Sequence, residues 1–165
     1  MCILTVKAPS KIKAMVVVFN KFLPFPGYFA RTLFGKILIR ETNKSSWDRQ
    51  IKTGDANITL NHETIHLRQA QSTCDSWWVY YIKYIYEYIK NQPWKNGTSF
   101  AYYMIPFEME AYKNELNLSY LHDGKSTTGW KKYSNMSVSE RLNIWNDYKT
   151  SKVIGFGRYL RERDI

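Results

Sequence analysis

Apolar and polar positions divide the chain into a mixed first third and a helical remainder. Lys11 to Phe22 has the spacing of a short helix, and Pro24, Pro26 and Gly27 then force a turn. From Leu33 to Arg40 apolar and polar residues alternate, which predicts a strand. Residues 41–58 are polar, with Gly54-Asp55 as a turn signal, and leave room for a second short strand. From Thr59 the period becomes helical. Thr59 or Asn61 suits the cap, His62, His66 and Gln69 share a face, and the helix runs to about Ser72.

Residues 73–90 are the most aromatic segment, with Trp77, Tyr81, Tyr84 and Tyr88 at helical spacing beside Ile82, Ile85 and Ile89. This suits a core helix packed on the one before it. Its Trp, Tyr and Lys also suit a helix lying at a lipid surface. Lys83, Glu87 and Lys90 interrupt it too often for a membrane span. Residues 91–98 read as a loop, and Pro106 fits the first position of a helix reaching about Leu121. Residues 122–136 read as a loop, Ser137 to Glu140 as a capping box opening a last helix, and the rest as a basic tail. Together these elements predict one α+β domain over residues 1–165, mostly helical, with a small β-sheet.

Charge and cysteines add less. The net charge of +10 favours acidic partners or an anionic membrane surface, but there is no nucleic-acid motif and no long basic run. Cys2 and Cys74 lack CxxC spacing, which points away from a disulfide framework and towards a reducing, cytoplasmic setting, with peripheral membrane contact as an alternative.

His62-Glu63-Thr64-Ile65-His66 is an HExxH motif that takes two of the chain's three histidines. On a helix, residues four apart stand one above the other, so both imidazoles reach one ion. Glu63 flanks that face, where its carboxylate can act as general base on a zinc-activated water. A catalytic zinc needs a third protein ligand and an open position. No histidine follows at the spacing of an extended motif. Glu108 and Glu110 are the candidates, and they stand about 200° apart around a helix, so one of them would serve.

HExxH followed by Glu108-Met109-Glu110-Ala111-Tyr112 resembles the gluzincin metallopeptidases, whose Glu-x-x-Ala-Asp supplies the third ligand through its first glutamate. The resemblance implies Zn2+ held by His62, His66 and Glu108 on a zincin-like active-site helix pair. Glu63 would be catalytic, and the substrate a peptide or protein. Tyr112 stands where the family has an aspartate that orients a ligand histidine. Glu110 and Tyr112 remain alternatives as ligand or supporting group. Residues 24–120 also resemble a group of small HExxH proteins of bacteria and their phages, sharing NHExIHxxQ … PFExEAY. In gluzincins a strand edge beside the site pairs with the substrate, a role open to residues 33–40. Tyr102, Tyr103, Tyr112 and His122 are candidates for stabilising an oxyanion. Two other functions compete: an inactive zinc-binding module, and a basic aromatic protein that binds membrane surfaces or nucleic acid.

Overall fold

Strand β1 (Val16–Asn20) lies where the sequence reads as helix. Its three consecutive valines are stiff at χ1 and favour an extended backbone. The strand is held by parallel pairing with β3 (Lys36–Arg40), Val17 opposite Ile37 and Phe19 opposite Ile39. The computed structural model describes residues 16–22, 29–121 and 127–165. The expected turn at Pro24, Pro26 and Gly27, and His122 and Gly124, fall outside them.

The single strand expected over 33–40 is a hairpin. Antiparallel β2 (Ala30–Leu33) and β3 meet at a two-residue turn, Phe34-Gly35, with φ of 46° and 78°. Two positive φ values match the right-handed twist of the flanking strands. The order β1-β3-β2 makes β3 central, so both of its edges are in use. Substrate pairing by residues 36–40 is thereby ruled out, and β1 and β2 are the two edge strands, β2 being the one that contains Leu33.

The second strand expected within 41–58 is a 3-10 turn (Glu41–Asn43) and helix α1 (Lys44–Thr53). Trp47 decides this. It is buried with Ile37, Ile39 and Ala56, and one large aromatic anchors the segment to the sheet more strongly than polar neighbours oppose it. Helix α2 (Ala56–Ser72) begins a turn earlier than expected, so Asn61 lies inside it rather than capping it.

Helix α3 (Trp77–Lys90) follows, its start capped by the Ser76 side chain. The expected 91–98 loop contains α4 (Pro93–Asn96), and α5 (Thr98–Tyr103) comes next. Helix α6 (Pro106–Asn114) has Pro106 at its start as expected but ends well short of Leu121. Helices α7 (Trp130–Ser134), α8 (Val138–Thr150) and α9 (Phe156–Glu162) complete the chain. The capping box at Ser137 and Glu140 is present. The basic tail is not free: Phe156, Tyr159 and Leu160 are buried. Nor is Cys74 an unpaired thiol. It is disulfide-bonded, where the spacing of the cysteines predicts no disulfide framework; Cys2 lies outside the described residues. No helix among the described residues is long and apolar enough to cross a membrane.

The fold is therefore α+β, mostly helical, with a three-stranded mixed sheet. Helix α6 sits between two apolar clusters. Phe107 packs with Leu67, Tyr80 and Trp130 on one side, and Met109 with Phe100, Tyr133 and Phe156 on the other. Residues 106–111 are all buried, as expected of a helix covered all round.

Two side-chain amides on α2 fix its position against α6. Asn61 Nδ2 donates to the carbonyls of Asn114 (3.1 Å), Glu115 (2.8 Å) and Asn117 (3.1 Å), at and just beyond the end of α6 where carbonyls lack full intrahelical pairing. Two turns later Gln69 Nε2 donates to Phe107 O (2.9 Å) and Glu110 Oε2 (2.8 Å), near the start of α6. The helices therefore run antiparallel, tied at both ends. Asn61→Ala removes all three of these hydrogen bonds and is expected to lower unfolding stability by about 1–3 kcal/mol. A shifted denaturant midpoint at unchanged slope would register it; an unchanged midpoint would refute the tie.

Candidate metal centre

His62 and His66 project from one face of α2 towards the first turn of α6. There Glu108 lies 3.5 Å from each: Oε2 from His62 Nε2, Oε1 from His66 Nε2. One ligand atom from each of the three residues falls within 4.8 Å of the others, a group that could hold a metal ion. Glu108 and His66 are buried and His62 nearly so.

The far nitrogen of each ring is held. His62 Nδ1 lies 3.1 Å from Glu115 Oε2. A carboxylate only accepts, so this nitrogen carries the proton. His66 Nδ1 lies 2.8 Å from Gln69 Oε1 and 3.1 Å from the Tyr80 hydroxyl. The Gln69 amide nitrogen is already donating to α6, so its oxygen must accept from the imidazole. Both rings therefore turn Nε2 towards the same point, and the neutral form of each carries its lone pair there, the tautomer a metal requires.

The charges are arranged for a cation. Burial works against a charged His62, but the carboxylates of Glu108, Glu115 and Glu63 outweigh it and hold its pKa up at about 10. Burial alone would raise Glu108, yet His66, His62 and the Tyr84 hydroxyl hold it down at about 2. Tyr84 donates to Glu108 Oε1 at 2.6 Å, while Oε2 is buried with no hydrogen-bond partner. Glu108 Oε2 faces His62 Nε2 at 3.5 Å, beyond ordinary hydrogen-bond length, and a cation seated between the carboxylate and the imidazoles would answer this buried oxygen more fully.

Glu63 is buried one residue along α2, and its carboxylate accepts a short hydrogen bond from Thr32 Oγ1 on β2. It lines a small pocket together with His62, His66, Glu108 and Tyr84. Glu63, His62, Tyr102, Tyr103 and Tyr112 also line a larger cleft of about 670 Å³ that reaches Phe29 and Thr98.

The structure separates the two candidate glutamates. Glu110 points away from the histidines and takes Gln69 Nε2, Tyr120 Oη and the Gly129 amide, each at 2.8 Å. It reaches the centre only through Gln69. Tyr112 is no substitute for the family's aspartate: its ring packs edge-on to His62, 4.7 Å between centroids. The carboxylate that orients His62 is Glu115, which sequence reasoning missed. Its spacing, seven residues after Glu108 and so on the same helical face, was the available signal. Gln69, three residues after His66, was legible in the same way. Thr32, Tyr80 and Tyr84 come from separate elements and left no local signal.

Helix α9 fixes the position of Glu115. Gly157 lies so close to α6 that a Cβ there would stand 2.4 Å from Tyr112 O and 2.8 Å from Glu115 Oε1. Arg161 donates to the carbonyls of Tyr112 and Lys113 beside it. No family model, curated protein or solved structure matches the chain.

Two outcomes are expected. Metal-free His62 is protonated at neutral pH and must lose that proton to bind a cation. Metal affinity should therefore rise about tenfold per pH unit between roughly pH 6 and 8, with about one proton released. Titration calorimetry in buffers of different ionisation enthalpy measures both, and affinity flat with pH would contradict it. Glu115→Gln and Gly157→Ala should each weaken metal binding about 10–100-fold, through the orientation of His62. Competition against a chromophoric chelator reads this directly, and wild-type affinity in both variants would remove Glu115 from the site.

Proposed function

We propose that the protein is a zinc metallopeptidase of gluzincin type, with His62, His66 and Glu108 as ligands and Glu63 as general base. The observation that carries this reading is the convergence of two imidazole Nε2 atoms and one buried carboxylate, with a second carboxylate in the same pocket. Each imidazole Nε2 lies 3.5 Å from one of the two Glu108 oxygens, and one ligand atom from each residue falls within 4.8 Å of the others, a spacing that small side-chain adjustments would bring to the roughly 3.3 Å edge of a tetrahedral zinc site. Nitrogen and carboxylate donors suit zinc, and three protein ligands leave a fourth position open.

Zinc, when bound, supplies a Lewis acid for the scissile carbonyl and acidifies the attacking water. Glu63 takes the proton of that water and passes it to the leaving amine. Thr32 holds the Glu63 carboxylate in place for this. The hydroxyls of Tyr102 and Tyr112 hydrogen-bond to one another and line the cleft. Burial, and then the charge of Glu108, push both phenols up, so they remain neutral donors suited to a developing oxyanion. The edge strand β2, which carries Thr32, is the element placed to align an extended peptide. A cleft of this size accommodates a few residues of substrate.

Glu63→Gln separates binding from turnover. The variant should retain about one zinc per chain while hydrolysis of a mixed peptide library falls at least ~100-fold. Mass spectrometry of the cleavage products reads the second quantity and elemental analysis the first. Wild-type protein that holds zinc and cleaves nothing would replace this reading with that of an inactive zinc-binding module.

A further inference from the structure

Helix α3 has two unlike faces. Tyr80 and Tyr84 turn inward to His66 and Glu108. On the other side Trp78, Ile82, Ile85, Tyr86 and Ile89 are each at least half exposed. At about 100° per residue these five fall within an arc of roughly 100°, a single stripe along the helix. Phe34, exposed at the tip of the hairpin, extends the stripe by packing against Trp78 at 5.3 Å. An apolar stripe of this extent exceeds the isolated exposed side chains ordinary on soluble proteins.

Along α3 and the two helices after it the exposed charges have one sign, with Asp75 just before the start of α3. Between Ser76 and Phe107 the only acidic residue is Glu87, and its carboxylate is buried on Arg141 at 2.7 Å. Lys83 and Lys90 lie along one border of the arc, Lys83 Nζ 5.0 Å over the Trp130 ring and Lys90 Nζ on Ser134 O (3.4 Å) and near Glu87 (3.9 Å), and Lys95 is exposed in the next helix. A second copy of the chain, docked through the same stripe about a two-fold axis, would bring lysines to lysines with no exposed acid on α3 to answer them. A surface that is apolar below and negative above answers both features at once.

We propose that the outer face of α3 is a docking surface for an anionic lipid bilayer. The helix lies in the headgroup region, with the isoleucines and Trp78 below it and the lysines reaching to phosphate. Its 14 residues, about 21 Å long, are too short to span the bilayer. The inference does not rest on the metal centre, although the inward face of the same helix would bring that centre within one helix diameter of the membrane.

Co-sedimentation with sucrose-loaded vesicles tests it, comparing phosphatidylcholine alone with phosphatidylcholine containing about 30 mol % phosphatidylglycerol. Binding is expected on the anionic vesicles only, weakened as salt rises from about 50 to about 500 mM. The paired substitution Ile85→Glu and Ile89→Glu should cost more than about tenfold in partitioning. Lys83→Gln with Lys95→Gln should cost about fivefold for each charge lost. Circular dichroism confirms that the variants fold, and the lysine pair carries the test if the isoleucine pair does not. Equal binding to neutral vesicles, no binding at all, or wild-type binding by every folded variant would overturn the proposal. So would a dimer in sedimentation equilibrium that Ile85→Glu dissociates without any vesicle binding, which would assign the stripe to a second copy.

Discussion

The centre depends on the antiparallel seating of α2 against α6. The two histidines stand on one helix and the third donor on another, 42 residues beyond His66. Nothing in the geometry of either helix alone brings the three together. Asn61 and Gln69 do so, one gripping the frayed carbonyls at the end of α6 and the other the carbonyl and carboxylate near its start. Each amide nitrogen has more than one acceptor, so sliding the helices by a residue would strand several buried polar atoms together. Apolar packing around Phe107 and Ile65 supplies most of the adhesion but is tolerant of small shifts. The amides supply the register.

The same economy appears in the electrostatics. Glu63, Glu108 and Glu115 surround His62 closely enough to govern its protonation. Several buried carboxylates without a compensating cation repel one another and lose hydration. In the metal-free chain a proton on His62 answers part of that charge, and a divalent ion answers more of it. Proton and metal thus compete for a single negative basin built by α2 and α6. The tyrosines around it stay neutral because burial and the neighbouring carboxylate both oppose their ionisation.

Much of this was legible in the sequence, and the reasons it failed elsewhere are physical. HExxH could be read because helical periodicity alone sets the spacing of His62 and His66. Pro106 and the Ser137 capping box could be read because caps are local chemistry. Angular separation says that one of Glu108 and Glu110 serves, and the resemblance alone picks Glu108; what turns Glu110 away is its pairing with Tyr120 and Gly129, which no local pattern encodes. Val16–Asn20 was misread because strand identity there comes from pairing with β3, a tertiary effect. Trp47 overrode the polarity of residues 44–53 in the same manner. Asn61 was taken for a cap because asparagine favours helix starts, whereas its partners lie over 50 residues away.

Helix α9 gives the fold an order of assembly. All three candidate ligands precede Glu115, yet the wall that keeps Glu115 on His62 is Gly157 and its neighbours. A nascent chain that has emerged only as far as α6 carries every donor atom without that support. The full support of the candidate centre therefore waits for the last helix to dock, so the histidine nearest Glu115 is oriented only once the whole described chain has closed.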